Sequence, residues 1–109
     1  MNSKDLNIKI TSSPWVIQIT KDGKELNRVP IENEQSFIGR MSQNHIVLDD
    51  PAVSRAHAMI SMVDDKFFIV DQGSQNGTLI NGKEICREEL KSGDLITIGP
   101  FHLKLVPKA

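Results

Sequence analysis

Two permanent cations, Arg40 and Arg55, a hydroxyl, Ser54, and an imidazole, His57, stand within residues 39–60, "GRMSQNHIVLDDPAVSRAHAMI". Three chemistries fit that set: a hydrolytic nucleophile with its base, a cradle for an anion, or a loop stapled by its own polar groups.

The hydrolytic arrangement would use Ser54 as nucleophile, His57 as base and Asp71 or Asp94 as the acid that orients the ring. If "AVSRAHAMI" enters a strand near Ser54, alternation sends residues 54, 56 and 58 to one face and 55, 57 and 59 to the other. Ser54 and His57 would then diverge. No G-x-S-x-G elbow is present to expose the serine or to supply an oxyanion hole, so no enzymatic activity is expected. His57, between Ala56 and Ala58, reads as a buried histidine that bonds neighbouring backbone and holds the loop ahead of it. His45, His57, His102 and Cys86 lack paired ligand spacing, so neither a metal nor another cofactor is expected.

Arg40 follows Gly39 at the end of the apolar run "SFIG", which places a guanidinium at a rigid strand end. Such a fork of donors suits an oxyanion. The structural alternative is a salt bridge to Asp49 or Asp50. A second segment, "VDQGSQNGTLING" at residues 70–82, holds two Asn-Gly pairs around a strand-length "TLI". Both pairs read as hairpins, yet hairpin chemistry does not require Ser74, Gln75 and Asn76 to bunch ahead of Gly77. A carboxamide carries an acceptor and two donors, enough to pair with both the C=O and the N–H of a peptide laid across it.

The elements that must position these groups read as strands. Short or alternating apolar runs recur along the chain, from "WVIQIT" to "HLKLV", and none sustains a helical period. Turn signals lie between them: "KDGKE", "QNG", "INGKE", "KSGD" and "IGP". Regular spacing of this kind indicates an all-β sandwich or small barrel. Pro30 marks an edge strand, because proline cannot donate to a ladder. Around Arg87 to Leu90 the sequence has some helical character, which Gly93 ends after barely a turn.

A length of 109 residues suffices for one core, and 39% hydrophobic with 25% charged residues suits a globule. The formal charge of -1 offers no global attraction to nucleic acid or anionic lipid, so any anion site must be local. No apolar run approaches the roughly 20 residues that cross a bilayer. Cys86 alone cannot form an internal disulfide, and the polar N-terminus lacks a secretory apolar core, so a cytoplasmic setting is expected. Residues 1–13 read as a flexible lead-in to a single domain at 14–107, expected to be a monomer.

Taken in order, "FIGR", "NHIVLDDPAVSRAHAMI", "FFIVDQGSQNGTLINGKEI" and "LKSGDLITIG" resemble the forkhead-associated (FHA) domain, a phosphothreonine-peptide-binding module, over roughly residues 15–106. The resemblance implies an eleven-stranded sandwich of two antiparallel sheets with peptide bound by loops at one end. It implies phosphate contacts from Arg40 and Ser54, help from Arg55, a bond from Asn76 to the peptide backbone and a bracing role for His57. Gly39, Gly77 and Thr78 would support the site. Gln75 stands where many members place a phosphate-contacting serine or threonine, and His45 where aspartate is frequent. A phosphothreonine-containing protein in a signalling interaction is the partner implied. The alternative is a scaffolding FHA domain that binds partners or itself through a sheet face whatever the phosphorylation state.

Overall fold

The computed structural model describes residues 13–108; the lead-in expected at residues 1–13 falls almost wholly outside them. Among the described residues there is no helix, and eleven strands form two sheets. The first sheet orders β2 (Lys24–Pro30), β1 (Trp15–Lys21), β11 (Phe101–Pro107), β10 (Ile96–Ile98), β7 (Leu79–Ile80) and β8 (Lys83–Glu84). The second orders β4 (Ile46–Val47), β3 (Gln35–Gly39), β5 (Ala58–Val63), β6 (Lys66–Asp71) and β9 (Arg87–Leu90). Pairing is antiparallel except between β3 and β4, which run parallel.

Alternation builds the core. Ile17 lies opposite Leu105 and Ile19 opposite Leu103, so one face of the first sheet is a continuous aliphatic surface. Ile38, Ile60 and Ile69 present the matching face of the second sheet, each almost fully buried. Each such side chain contributes about 1.5–3 kcal/mol on leaving water. Pro30 ends β2, an edge strand as its sequence requires. Asp22–Gly23 and Asn81–Gly82 adopt positive φ at both positions (53° and 78°, 51° and 83°) and close tight hairpins.

Two local readings are corrected. Arg87–Leu90 is strand β9, not a helical turn, because the edge of β6 offers its four residues a ladder from Phe67 to Val70. A lone helical turn has no comparable partner. Asn76–Gly77 is not a hairpin either: the chain there crosses from β6 in one sheet to β7 in the other.

One rung of the second sheet aligns the ends of three strands. Ile38 faces Ala58, and Ala58 faces Asp71. At this level β3 ends, β5 begins and β6 ends, so the loops 40–45, 48–57 and 72–78 leave the sandwich at one end.

Candidate functional site

Gly39 is where the first two loops touch. A Cβ on it would collide with the Arg55 carbonyl oxygen and lie 2.8 Å from Asn44 Nδ2, so only glycine permits the approach. The Arg40 N–H donates to the Ser54 carbonyl at 3.0 Å, and Asn44 Nδ2 donates to the carbonyls of Met41 and Arg55, both at 2.9 Å. These bonds fix the base of Arg40.

Its side chain is fixed as well. Nε donates to the Val53 carbonyl at 3.0 Å, while the terminal guanidinium nitrogens have no partner among the described residues. The salt bridge to Asp49 or Asp50 does not form; Asp50 Oδ1 instead accepts the Ala52 N–H at 2.8 Å. Arg40 is therefore an exposed, tethered fork. The guanidinium of Arg55, also exposed, is without a partner among the described residues.

Strand alternation does not govern Ser54 and His57, because β5 starts only at Ala58 and both residues belong to the loop; the ring meets the Ser54 backbone, not its hydroxyl. His57 Nδ1 accepts the Ser54 N–H at 3.0 Å, and Nε2 lies 2.8 Å from the Gly77 carbonyl oxygen. A carbonyl only accepts, so Nε2 carries the proton and the ring is the neutral tautomer. With both nitrogens committed and no solvent exposure, His57 is a staple between two loops and not a base. The Ser54 hydroxyl faces elsewhere: its Oγ accepts the Gln75 N–H at 3.0 Å. That bond occupies a lone pair and leaves the hydroxyl proton to donate.

Asn76 is exposed, with one amide N–H spent on the Ala52 carbonyl at 2.8 Å. Its Oδ1 and second N–H stay open among the described residues. Gly77 has φ of +88°, a left-handed value suited to glycine, and its N–H donates to Ser74 Oγ at 3.0 Å. Thr78 is fully buried and donates through Oγ1 to Asp71 Oδ1 at 2.7 Å.

Asp71 and Ser74, in the sequence a candidate acid and part of a polar bunch, take a different role in the structure, and the sequence does not single out Asn44 at all. Asp71 accepts the Ser74 hydroxyl at 2.6 Å and the Ser74 N–H at 3.0 Å, besides Thr78. Burial pushes its carboxyl up, but the bonds from Ser74 and Thr78 outweigh that and hold it below the usual aspartate range. Asp and Ser on either side of Gly73 are turn-favouring residue types, the signal that marks this pair. Asn44 carries no such signal. His45, the departure from the family pattern, accepts the Phe37 N–H on Nδ1 at 2.9 Å and stacks on the Phe37 ring at 5.7 Å.

The FHA-domain family model matches residues 37–99, more than half of the chain. The glycogen accumulation regulator GarA of Mycobacterium tuberculosis is 42% identical over 77 residues, 71% of this chain and 48% of that one. An oxoglutarate dehydrogenase inhibitor of Corynebacterium diphtheriae is 39% identical over 79 residues, 72% of this chain and 55% of its own. The chain thus spans about half the length of the curated relatives it matches. The solved structure of Mycobacterium tuberculosis EmbR in complex with a low-affinity phosphopeptide superposes with a TM-score of 0.76 at 29% identity, covering 86% of this chain and 25% of that one. Sandwich, loop cluster and sequence agree: the chain belongs to the FHA domain family.

Proposed function

We propose that this domain binds phosphothreonine-containing segments of partner proteins and performs no catalysis. The observation that carries the reading is the pairing of a tethered Arg40, its terminal nitrogens unpartnered among the described residues, with a Ser54 hydroxyl that accepts from Gln75 and keeps its proton to donate. A phosphate monoester brings about -1.5 to -2 charge and three acceptor oxygens, which match two donors of this kind and the second cation of Arg55. Asn76 offers Oδ1 and an N–H to the peptide backbone, and Gln75, the exposed residue before it in the chain, adds a second carboxamide. Gly39, His57, Gly77 and Thr78 hold the loops that present these groups.

The phosphopeptide in the EmbR complex supports the ligand class, and the names regulator and inhibitor borne by two relatives support a role exercised through binding. We assign the unit to residues 14–107, a span supported by the 2.7 Å bond from the Lys108 N–H to the Pro14 carbonyl beyond the last strand. Among the described residues no helix is long and apolar enough to cross a membrane. A cytoplasmic setting and a monomeric state belong to the same proposal.

Fluorescence-anisotropy titration with paired phosphorylated and unphosphorylated threonine peptides tests it; equal affinity for the two would defeat the reading. The outer face of the second sheet favours one second reading. Phe37, Met59 and Val70 share a rung there, and Val47 and Val63 remain 43% and 46% exposed. Docking through that face predicts a complex that survives phosphatase treatment and Ser54→Ala.

A further inference from the structure

We propose that Asp71, whose carboxylate is committed to Ser74 and Thr78, is a positioning residue that readies Ser54 as a donor to phosphate. The inference rests on the phosphothreonine reading and concerns how that site is kept ready.

The hydrogen bonds around the site close into a ring. Asp71 Oδ1 accepts the Ser74 hydroxyl, and Ser74 Oγ in turn accepts the Gly77 N–H. The Gly77 carbonyl accepts from His57 Nε2, and His57 Nδ1 accepts the Ser54 N–H. Ser54 Oγ accepts the N–H of Gln75, the residue that follows Ser74, and the Ser74 N–H returns to Asp71 Oδ2. Thr78 Oγ1 adds a second arm from beyond Gly77 to the same carboxylate. Asp71 itself stands in register with Ala58 at the end of β6, so the anchor belongs to the sheet and not to the loop it holds.

Direction is the point of the circuit. An ionised carboxylate only accepts, so Ser74 must donate to it and keep its lone pairs for Gly77. Loop 72–78 is thereby wound so that the Gln75 amide meets Ser54 Oγ. With that acceptor position filled, the hydroxyl proton is aimed at a guest. Asn at position 71 puts an NH2 group against either the Ser74 N–H or two hydroxyls, and the winding loses its single solution.

The experiment uses the whole chain. Asp71→Asn and Ser74→Ala are compared with wild type by chemical denaturation, to confirm folding, by amide hydrogen exchange at Gln75, and by titration with a phosphothreonine peptide. We expect faster Gln75 exchange and affinity lower by roughly tenfold in both variants. The decisive readout is a double-mutant cycle: Asp71→Asn should cost little more once Ser54 is alanine, yet its full tenfold in an Arg55→Ala background. Unchanged Gln75 exchange and affinity in both folded variants would overturn the proposal, as would an equal cost in the two backgrounds. The hydrogen-exchange arm needs no ligand. A wild type that ignores phosphorylation while Gln75 exchange still responds to Asp71→Asn therefore defeats the binding function and with it the donor role, but leaves the circuit standing.

Discussion

Arg40 is the residue on which the phosphate reading turns, and replacing it by lysine separates charge from geometry. Its Nε is spent on the Val53 carbonyl at 3.0 Å, which leaves the two terminal nitrogens to act as a fork. Hydrogen bonds to charged groups contribute about 1.5–3 kcal/mol each. Arg40→Ala removes two of them, about 3–6 kcal/mol, so affinity for a phosphothreonine peptide should fall by about a hundredfold to ten-thousandfold. Lysine keeps the charge but cannot hold Val53 and present two donors at once; losing one bond predicts a drop of about ten- to a hundredfold. Exposed Asp49 lies nearby along the chain and works against an anion, but charges in water are screened within about 10 Å at moderate salt. Titration calorimetry on wild type and both variants measures the three affinities. The control is the folding midpoint, which loses only the Val53 tether, about 1 kcal/mol. If Arg40→Lys binds within about threefold of wild type, below what loss of one such bond allows, the fork plays no part and the reasoning fails.

Other outcomes follow from the loops and their anchors. His57→Ala orphans the partly buried Ser54 N–H and Gly77 carbonyl and leaves a cavity where the buried ring stood, so urea denaturation should show a loss of about 3–5 kcal/mol with an unchanged slope. Gly39→Ala drives a methyl into the Arg55 carbonyl, and should cost about 1–3 kcal/mol and weaken phosphopeptide binding together, read by the same two assays. Asp71, with its carboxyl held low in the folded state, contributes stability that is present above the ordinary aspartate value of about 4 and is lost as pH falls through the lower folded value. Urea midpoints followed downward from about pH 4 should therefore drop less steeply in Asp71→Asn than in wild type.

Strand content, turns and the edge at Pro30 were legible because they depend on near neighbours: period-two alternation and residues that tolerate positive φ act over a few positions. The Asp64–Asp65 turn between β5 and β6, with φ of 50° and 63°, lacks the glycine that announces the other hairpins, and so gave no signal. Arg87–Leu90 misled because its local preference was overridden by a partner strand about twenty residues earlier. For the site, Arg40, Ser54, Asn76 and the bracing histidine stood out by residue type and by the motif pattern they share.

How those side chains meet was decided by the tertiary structure. Alternation placed Ser54 and His57 on opposite faces, whereas the loop brings the Ser54 amide onto the ring. Asn44 looks like any polar loop residue until the Arg55 carbonyl arrives above it from eleven positions away. The physical reason is the range of the forces involved: backbone preference and hydrophobic period are written residue by residue, whereas a buried polar group must be satisfied by whatever the folded chain delivers to it. This sequence on its own determined an all-strand sandwich and the chemical groups available at its tip. Only the packed sheets, by ending β3 and β6 and starting β5 at one level, decided that the loops carrying those groups leave the sandwich at the same end.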